Sequence, residues 1–197
     1  MAQSQLTSKS KVKSLLGISG SSYDTILDSL VNGVSSFIES FCARIFLTAI
    51  YTEYYDGEDG GKIYFNQAPV TALTSFEYNS GTPANPIWVA FDANNYVLST
   101  RDNCIALMGG IPRGYQNIKI VYVAGYKIDW ANENTPALHN LPFDLAMVAD
   151  QLVSKAFGAR KSEGLSSESI DGANVSYSKG MTDDQKMILS KYRQIII

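Results

Sequence analysis

The side chains able to do chemistry are few and scattered. His139 is the single histidine. A Ser/His/Asp or Cys/His device needs that imidazole beside a nucleophile. Its neighbours Leu138 and Asn140 offer none, so the expectation is a loop histidine on exposed polar surface. Asp56, Glu58 and Asp59 crowd the stretch Asp56-Gly-Glu-Asp-Gly-Gly61. Carboxylates that close could bind calcium through oxygen. The twelve-residue calcium loop is absent, however, and an acidic hairpin tip explains them more simply. Cys42 and Cys104 form no set with zinc-ligand spacing. They read as buried thiols, which suits a reducing cytosol. Neither a GxxxxGKS/T phosphate loop nor a GxGxxG fingerprint occurs. Asn174-Val-Ser176 fits a glycosylation sequon, but the N-terminal stretch does not read as a secretion signal. Lys9, Lys11 and Lys13 read as a solvated helix face rather than a phosphate site. With no paired catalytic groups, the sequence points away from an enzyme. No catalytic, metal or cofactor residue is assigned.

The elements that must position these residues are clearer. Ser21–Phe46 carries apolar residues at Ile26, Leu27, Leu30, Val31, Val34, Phe37, Ile38, Phe41, Cys42 and Ile45, the period of an α-helix. Ser21 or Ser22 is expected to cap it, with Asp24 in the first turn. Asp28, Asn32, Ser35, Ser36 and Glu39 are expected to face water. Thr7–Leu16 predicts a shorter helix, capped by Thr7 or Ser8, with Val12, Leu15 and Leu16 on its apolar side and Gly17 as its stop. From Ala49 to Tyr126 the period falls to two. Ile50–Tyr55 and Lys62–Phe65 read as a hairpin around the acidic turn. Val70, Ala72, Thr74, Phe76 and Tyr78 alternate, and Ile87–Phe91, Tyr96–Ser99, Cys104–Leu107 and Asn117–Ala124 are further strands. Pro142 opens another helix over Leu145, Ala146, Val148, Ala149, Leu152, Val153, Ala156 and Phe157, closed from Gly158 onward. Lys161–Gly180 is polar, with strand character at Asn174–Ser178, and reads as a mobile hairpin or an extended arm. Thr182 and Gln185 form a capping box for a last helix over Met187, Ile188, Leu189 and Tyr192.

The fold class is therefore α+β: a bundle of about four helices with an inserted antiparallel β unit of about six or seven short strands. The organisation predicted is one domain over 1–197, with helices at 7–46, a β unit at 49–126, helices and a hairpin or loop at 142–193, and a tail at 194–197. The long Ser21–Phe46 helix and the helix opened by Pro142 should pack together, Leu30, Val34, Phe37 and Phe41 meeting Leu145, Val148, Leu152 and Phe157. The net charge of −3 argues against a dedicated nucleic-acid binder, which carries a basic surplus. No apolar run approaches a membrane span, so no membrane is expected. Twelve tyrosines and eight phenylalanines fit a β-rich part with an extensive contact surface.

Several blocks recur in one order. Val12-Lys-Ser-Leu-Leu-Gly-Ile18, the long helix ending Phe41-Cys-Ala-Arg-Ile-Phe46, and Tyr51-Thr-Glu-Tyr-Tyr-Asp-Gly57 come first. Ala68-Pro-Val-Thr71, Ile118-Lys-Ile-Val-Tyr-Val-Ala-Gly-Tyr126, Leu141-Pro-Phe-Asp-Leu145 and Glu163-Gly-Leu-Ser-Ser-Glu-Ser-Ile-Asp171 follow. Together, over about residues 7–193, they resemble the head–tail connector (adaptor, or head-completion) proteins of tailed bacteriophages. The match is to structural positions, and the β unit is longer than in the nearly all-helical members.

That resemblance implies a structural virion protein, made in the bacterial host cytoplasm and resident in the neck. It implies a homo-oligomeric, twelve-fold ring beneath the portal protein. The ring would extend the DNA channel and offer a platform to the next neck or tail-completion protein. Genomic DNA would pass through the lumen without specific binding, and no cofactor is implied. Two segments are then expected to make contacts. Tyr192, Arg193, Gln194, Ile195, Ile196 and Ile197 either tuck into the subunit's own core or dock on a partner, and the resemblance favours the portal. Glu163, Ser166, Ser167, Glu168, Ser169 and Asp171 would form a loop ordered by a neighbour in the ring. The other classes left open are a tail-completion or baseplate subunit and a carbohydrate-binding or hydrolytic β module using Asp56, Glu58 or Asp59.

Overall fold

The computed structural model describes residues 4–58, 61–160, 167–170, 173–176 and 180–194. Four helices accompany antiparallel sheets of four and three strands and a two-stranded hairpin. This is the α+β class predicted from periodicity. The chain divides into two compact units: Met1–Phe46 with Lys127–Arg193, and Leu47–Tyr126 with Gln194–Ile197.

The helical unit contains α1 (Lys9–Leu16), α2 (Asp24–Cys42), α3 (Phe143–Ala159) and α4 (Asp183–Ser190). Ser8 caps α1, its hydroxyl accepting from Lys11 N at 3.2 Å, and Gly17 stops the helix in the left-handed region at φ 65°. The capping box of Thr182 and Gln185 starts α4 as predicted. The serine cap on α2 is a correction. That helix begins at Asp24, Tyr23 precedes it without a side-chain bond, and the Asp24 N–H bonds Ser21 O. Pro142 stands just outside α3, and Gly158 lies within it.

The buried stripe of α2 departs from the prediction at Ser35, which is buried, and at Ile26 and Phe37, which are exposed. Leu27, Val31, Ser35, Ile38 and Cys42 are buried, whereas Phe37 is 49% exposed. One residue is about 100° of rotation, so the stripe is present but its covered edge is displaced. Ser35 explains how a polar group sits there: its hydroxyl accepts from Leu6 N at 3.0 Å and donates to Val31 O at 2.7 Å. A satisfied hydroxyl can be buried at little cost. Val12, Leu27, Val31, Val153 and Phe157 form one cluster, with Leu16, Ile18, Leu30 and Val34 packed against it. Leu15 and Met187, expected on apolar faces, are exposed.

The β unit contains β1 (Ala49–Gly57), β2 (Lys62–Tyr64), β3 (Val70–Asn79), β4 (Trp88–Ala90), β5 (Tyr96–Ser99), β6 (Cys104–Leu107) and β7 (Gly114–Ala124). Its sheets run β1-β7-β3-β4 and β2-β6-β5. The expected β1–β2 hairpin is therefore wrong. Tyr51 pairs with Tyr122 on β7, and Ile63 pairs with Ile105 on β6. β1 and β2 belong to different sheets, which local sequence cannot distinguish from two arms of a hairpin. Bulges between Val70 and Ala72 and between Leu73 and Ser75 break the alternation predicted for β3. Val70 and Phe76 are buried, but Ala72 and Thr74 are exposed. Ile63, Phe76, Ile105, Ile118, Ile120 and Tyr122 lie in the core, with Tyr51, Tyr55 and Tyr78 packed on it.

The hairpin of β8 (Ser167–Ile170) and β9 (Ala173–Ser176) pairs Ser167 with Ser176. Glu163, Ser166 and Asp171 lie outside the described residues.

Candidate functional site

Among the described residues, His139 and Asp56 are tied into the main chain around them. His139 is buried, which corrects the exposed-loop reading. Its Nδ1 accepts from Asp129 N at 3.2 Å, and its ring lies 4.5 Å from Trp130. Asn132 Nδ2, bonded to Asp129 at 3.0 Å, is the leading cause holding that carboxyl below its usual range. Imidazole and carboxylate here tie a loop together. Cys42 and Cys104 are both free and buried, as the sequence predicted. Burial pushes the Cys42 thiol up to about 11, far from the thiolate range useful to a nucleophile.

The lysines of α1 are not merely solvated. Lys9 Nζ lies 2.8 Å from Asp28, Lys13 Nζ 2.8 Å from Asp24, and Lys11 Nζ 3.0 Å from Asp150. Hydrogen bonding to Asp28 raises Lys9, and hydrogen bonding from Lys13 lowers Asp24. Asp150 is buried on α3 and also accepts from the Thr7 hydroxyl. The alternate lysines therefore fasten α1 to α2 and α3. A lone acid inside an apolar stripe, Asp150 in Met147–Val153, was the sequence signal for this network.

In the β unit, Tyr54, Asp56, Glu58, Tyr64 and Tyr115 help line an open cleft of about 480 Å3. Asp56 Oδ1 accepts from Gln116 N at 2.6 Å. Among the described residues, no three His, Cys, Asp or Glu side chains are grouped to hold a metal. Asp59 lies outside them. Replacing Glu58 and Asp59 by serine is expected to leave the melting temperature unchanged with or without calcium. A calcium-dependent rise in the unmodified protein, lost in that variant, would make the acidic turn a binding site. The Tyr55 hydroxyl donates to Glu53, and burial first, then this bond, raises the Tyr55 pKa.

The residues predicted to dock on a partner fall in two places. Tyr192 is half-buried in its own helical unit: its hydroxyl donates to Asp144 Oδ1 at 2.5 Å, and its ring lies 6.2 Å from Phe46. The Arg193 guanidinium stands 5.9 Å from the Phe41 ring. Gln194 Nε2 reaches Asn66 Oδ1 at 3.5 Å. Ile195, Ile196 and Ile197 lie outside the described residues. In the hairpin, Ser167, Glu168 and Ser169 belong to β8.

Sequence reasoning missed the outward face of the four-stranded sheet. There Lys119 Nζ bonds Glu77 at 2.9 Å and lies 5.6 Å from the Trp88 ring, which stands 5.7 Å from Tyr54. Ile50, at the same face, is 71% exposed. Phe143, the first residue of α3, is 85% exposed. Large exposed apolar side chains of this kind mark contact surfaces when they cluster.

No protein-family model and no curated protein matches the sequence. Solved structures do share the fold. A chain in the neck of an empty gene transfer agent particle, computed with sixfold symmetry, aligns at a TM-score of 0.60 and 16% identity, covering 100% of this chain and 94% of that one. A chain in the neck of a native gene transfer agent particle, computed with twelvefold symmetry, aligns at 0.52 and 17% identity, over 87% and 84%. A chain of the native gene transfer agent virion aligns at 0.54 and 18% identity, over 88% and 79%. At these identities the likeness is one of fold, and it runs through both units.

Proposed function

We propose that this chain is a structural, non-enzymatic subunit of a phage-type particle neck, working as a head–tail connector. The observation that carries the proposal is the end-to-end likeness to a neck chain, 100% of this chain against 94% of that one. A shared module would match one unit only; here the alignment covers the whole of this chain.

In this reading copies of the chain form a ring under the portal, extend the DNA channel and present a platform to the next neck or tail-completion protein. Neck structures computed with sixfold and twelvefold symmetry support a ring, and we read it as twelve-fold. A net charge of −3 suits a channel through which DNA slides, because each phosphate contact adds affinity and so resists movement. The portal contact is assigned to the chain end, Tyr192 to Ile197, with residues 193–197 as the anchor. Three consecutive isoleucines there favour extended structure and apolar burial. Repetition around a ring turns weak single contacts into tight attachment. The segment from Glu163 to Asp171, with Ser166, Ser167, Glu168 and Ser169, is assigned to contacts between neighbouring subunits.

Removing residues 193–197 is expected to leave folding and melting temperature nearly unchanged while abolishing co-sedimentation with portal-bearing heads. Normal binding by the truncated protein would place the portal contact elsewhere. Unfolding of the truncated protein would make the tail part of the subunit's own core.

A further inference from the structure

From the sheet order, we infer that the four-stranded sheet is an assembly edge. β1 of one copy pairs with β4 of a second copy, head to tail. The inference rests on the ring reading above and names the surface that closes it. The observation behind it is that β1 and β4 are the two edge strands of the sheet β1-β7-β3-β4.

β1 runs for nine residues, Ala-Ile-Tyr-Thr-Glu-Tyr-Tyr-Asp-Gly, and among the described residues its strand partner is β7. A long edge strand is a ready template for another chain, and soluble proteins blunt such edges with lysine, proline or short length. β1 has neither lysine nor proline. Its blunting features are the inward Glu53, paired across from buried Ile120, and a bulge between Tyr55 and Gly57 at its far end. Ile50, Thr52 and Tyr54 remain exposed along the rest.

The direction of the strands selects the partner. β1 is antiparallel to β7, β7 to β3, and β3 to β4. The two edges of the sheet therefore run in opposite directions. Placing β1 of one copy beside β4 of the next continues the alternation, and the same step can repeat from subunit to subunit. That is a heterologous contact, the kind that builds a ring. Pairing β1 with β1 would instead be isologous and would stop at a dimer. The surfaces suit the step. Val89 and Ala90 are exposed at one edge, and Ile50 and Tyr54 at the other. β4 has only three residues, so each junction holds few main-chain bonds, and closure of the ring makes them cooperative.

The test uses the full chain. Thr52→Cys and Ala90→Cys, which lie on the same outward face of the sheet, are made separately and together, and treated with a short bis-maleimide. The natural thiols are buried and stay unreacted. Mixing the two single variants is expected to give a covalent dimer that neither gives alone, and the double variant a ladder of higher multimers. Independently, Ile50→Lys with Thr52→Lys should abolish assembly in native mass spectrometry while the circular-dichroism melt stays within a few degrees. Rings that form without Thr52–Ala90 cross-links, that cross-link only Thr52 to Thr52, or that survive the two lysines would overturn edge pairing and leave the connector reading standing. A chain that stays monomeric throughout, with and without portal, would overturn both.

Discussion

Ile38→Ala is expected to destabilise the helical unit by about 3 kcal/mol, while Phe37→Ala changes it by less than about 1 kcal/mol. Ile38 is fully buried on α2, and Phe37 beside it is 49% exposed. Truncating a packed isoleucine loses its transfer energy and leaves a cavity that the neighbours fill only partly. Truncating a half-exposed phenylalanine removes area that water already reaches. Urea melts followed by far-UV circular dichroism compare the two directly. Equal losses would mean that the face of α2 carrying Phe37 is the covered one, as periodicity alone had suggested.

Lys11→Met is expected to cost about 3 kcal/mol, because it strips the cation from a buried carboxylate. Asp150 is 6% exposed and has Lys11 Nζ at 3.0 Å and the Thr7 hydroxyl as partners. The remaining hydroxyl cannot neutralise the charge. The double variant Lys11→Met, Asp150→Leu should recover most of the loss, since an apolar pair of similar volume removes both charges from the interior. A single variant within about 0.5 kcal/mol of the unmodified protein would show that water reaches Asp150 and that the pair contributes only what a surface ion pair does.

These two residues also show how far sequence carries. The existence of α2 and α3 was legible because their apolar periods are long and clean. The rotation of α2 was not, because Ser35 is buried through bonds to Leu6 and Val31, and Leu6 comes from a segment 29 residues away. The lysines of α1 looked solvated because their acids lie on other helices. His139 looked idle because its partner is the main chain of Asp129. In the β unit, β5 and β6 were legible to the residue from short alternating runs between turns. The pairing was not, since β1 and β2 are sequence neighbours that belong to different sheets. Edge status, and with it the exposed Ile50, follows from pairing and was equally hidden. The function was approached through a pattern of blocks rather than through any chemical group. On the proposed connector reading that is the expected situation, because the work would be to occupy a place in an assembly.

That place can be seen directly by mixing the purified protein with a purified portal complex and imaging the mixture by electron microscopy. A connector gives a closed ring seated on one face of the portal, coaxial with its channel and sharing its symmetry axis. Portals that remain bare at protein concentrations where rings form, or rings that attach to tail tubes instead, would contradict a position at the head–tail junction.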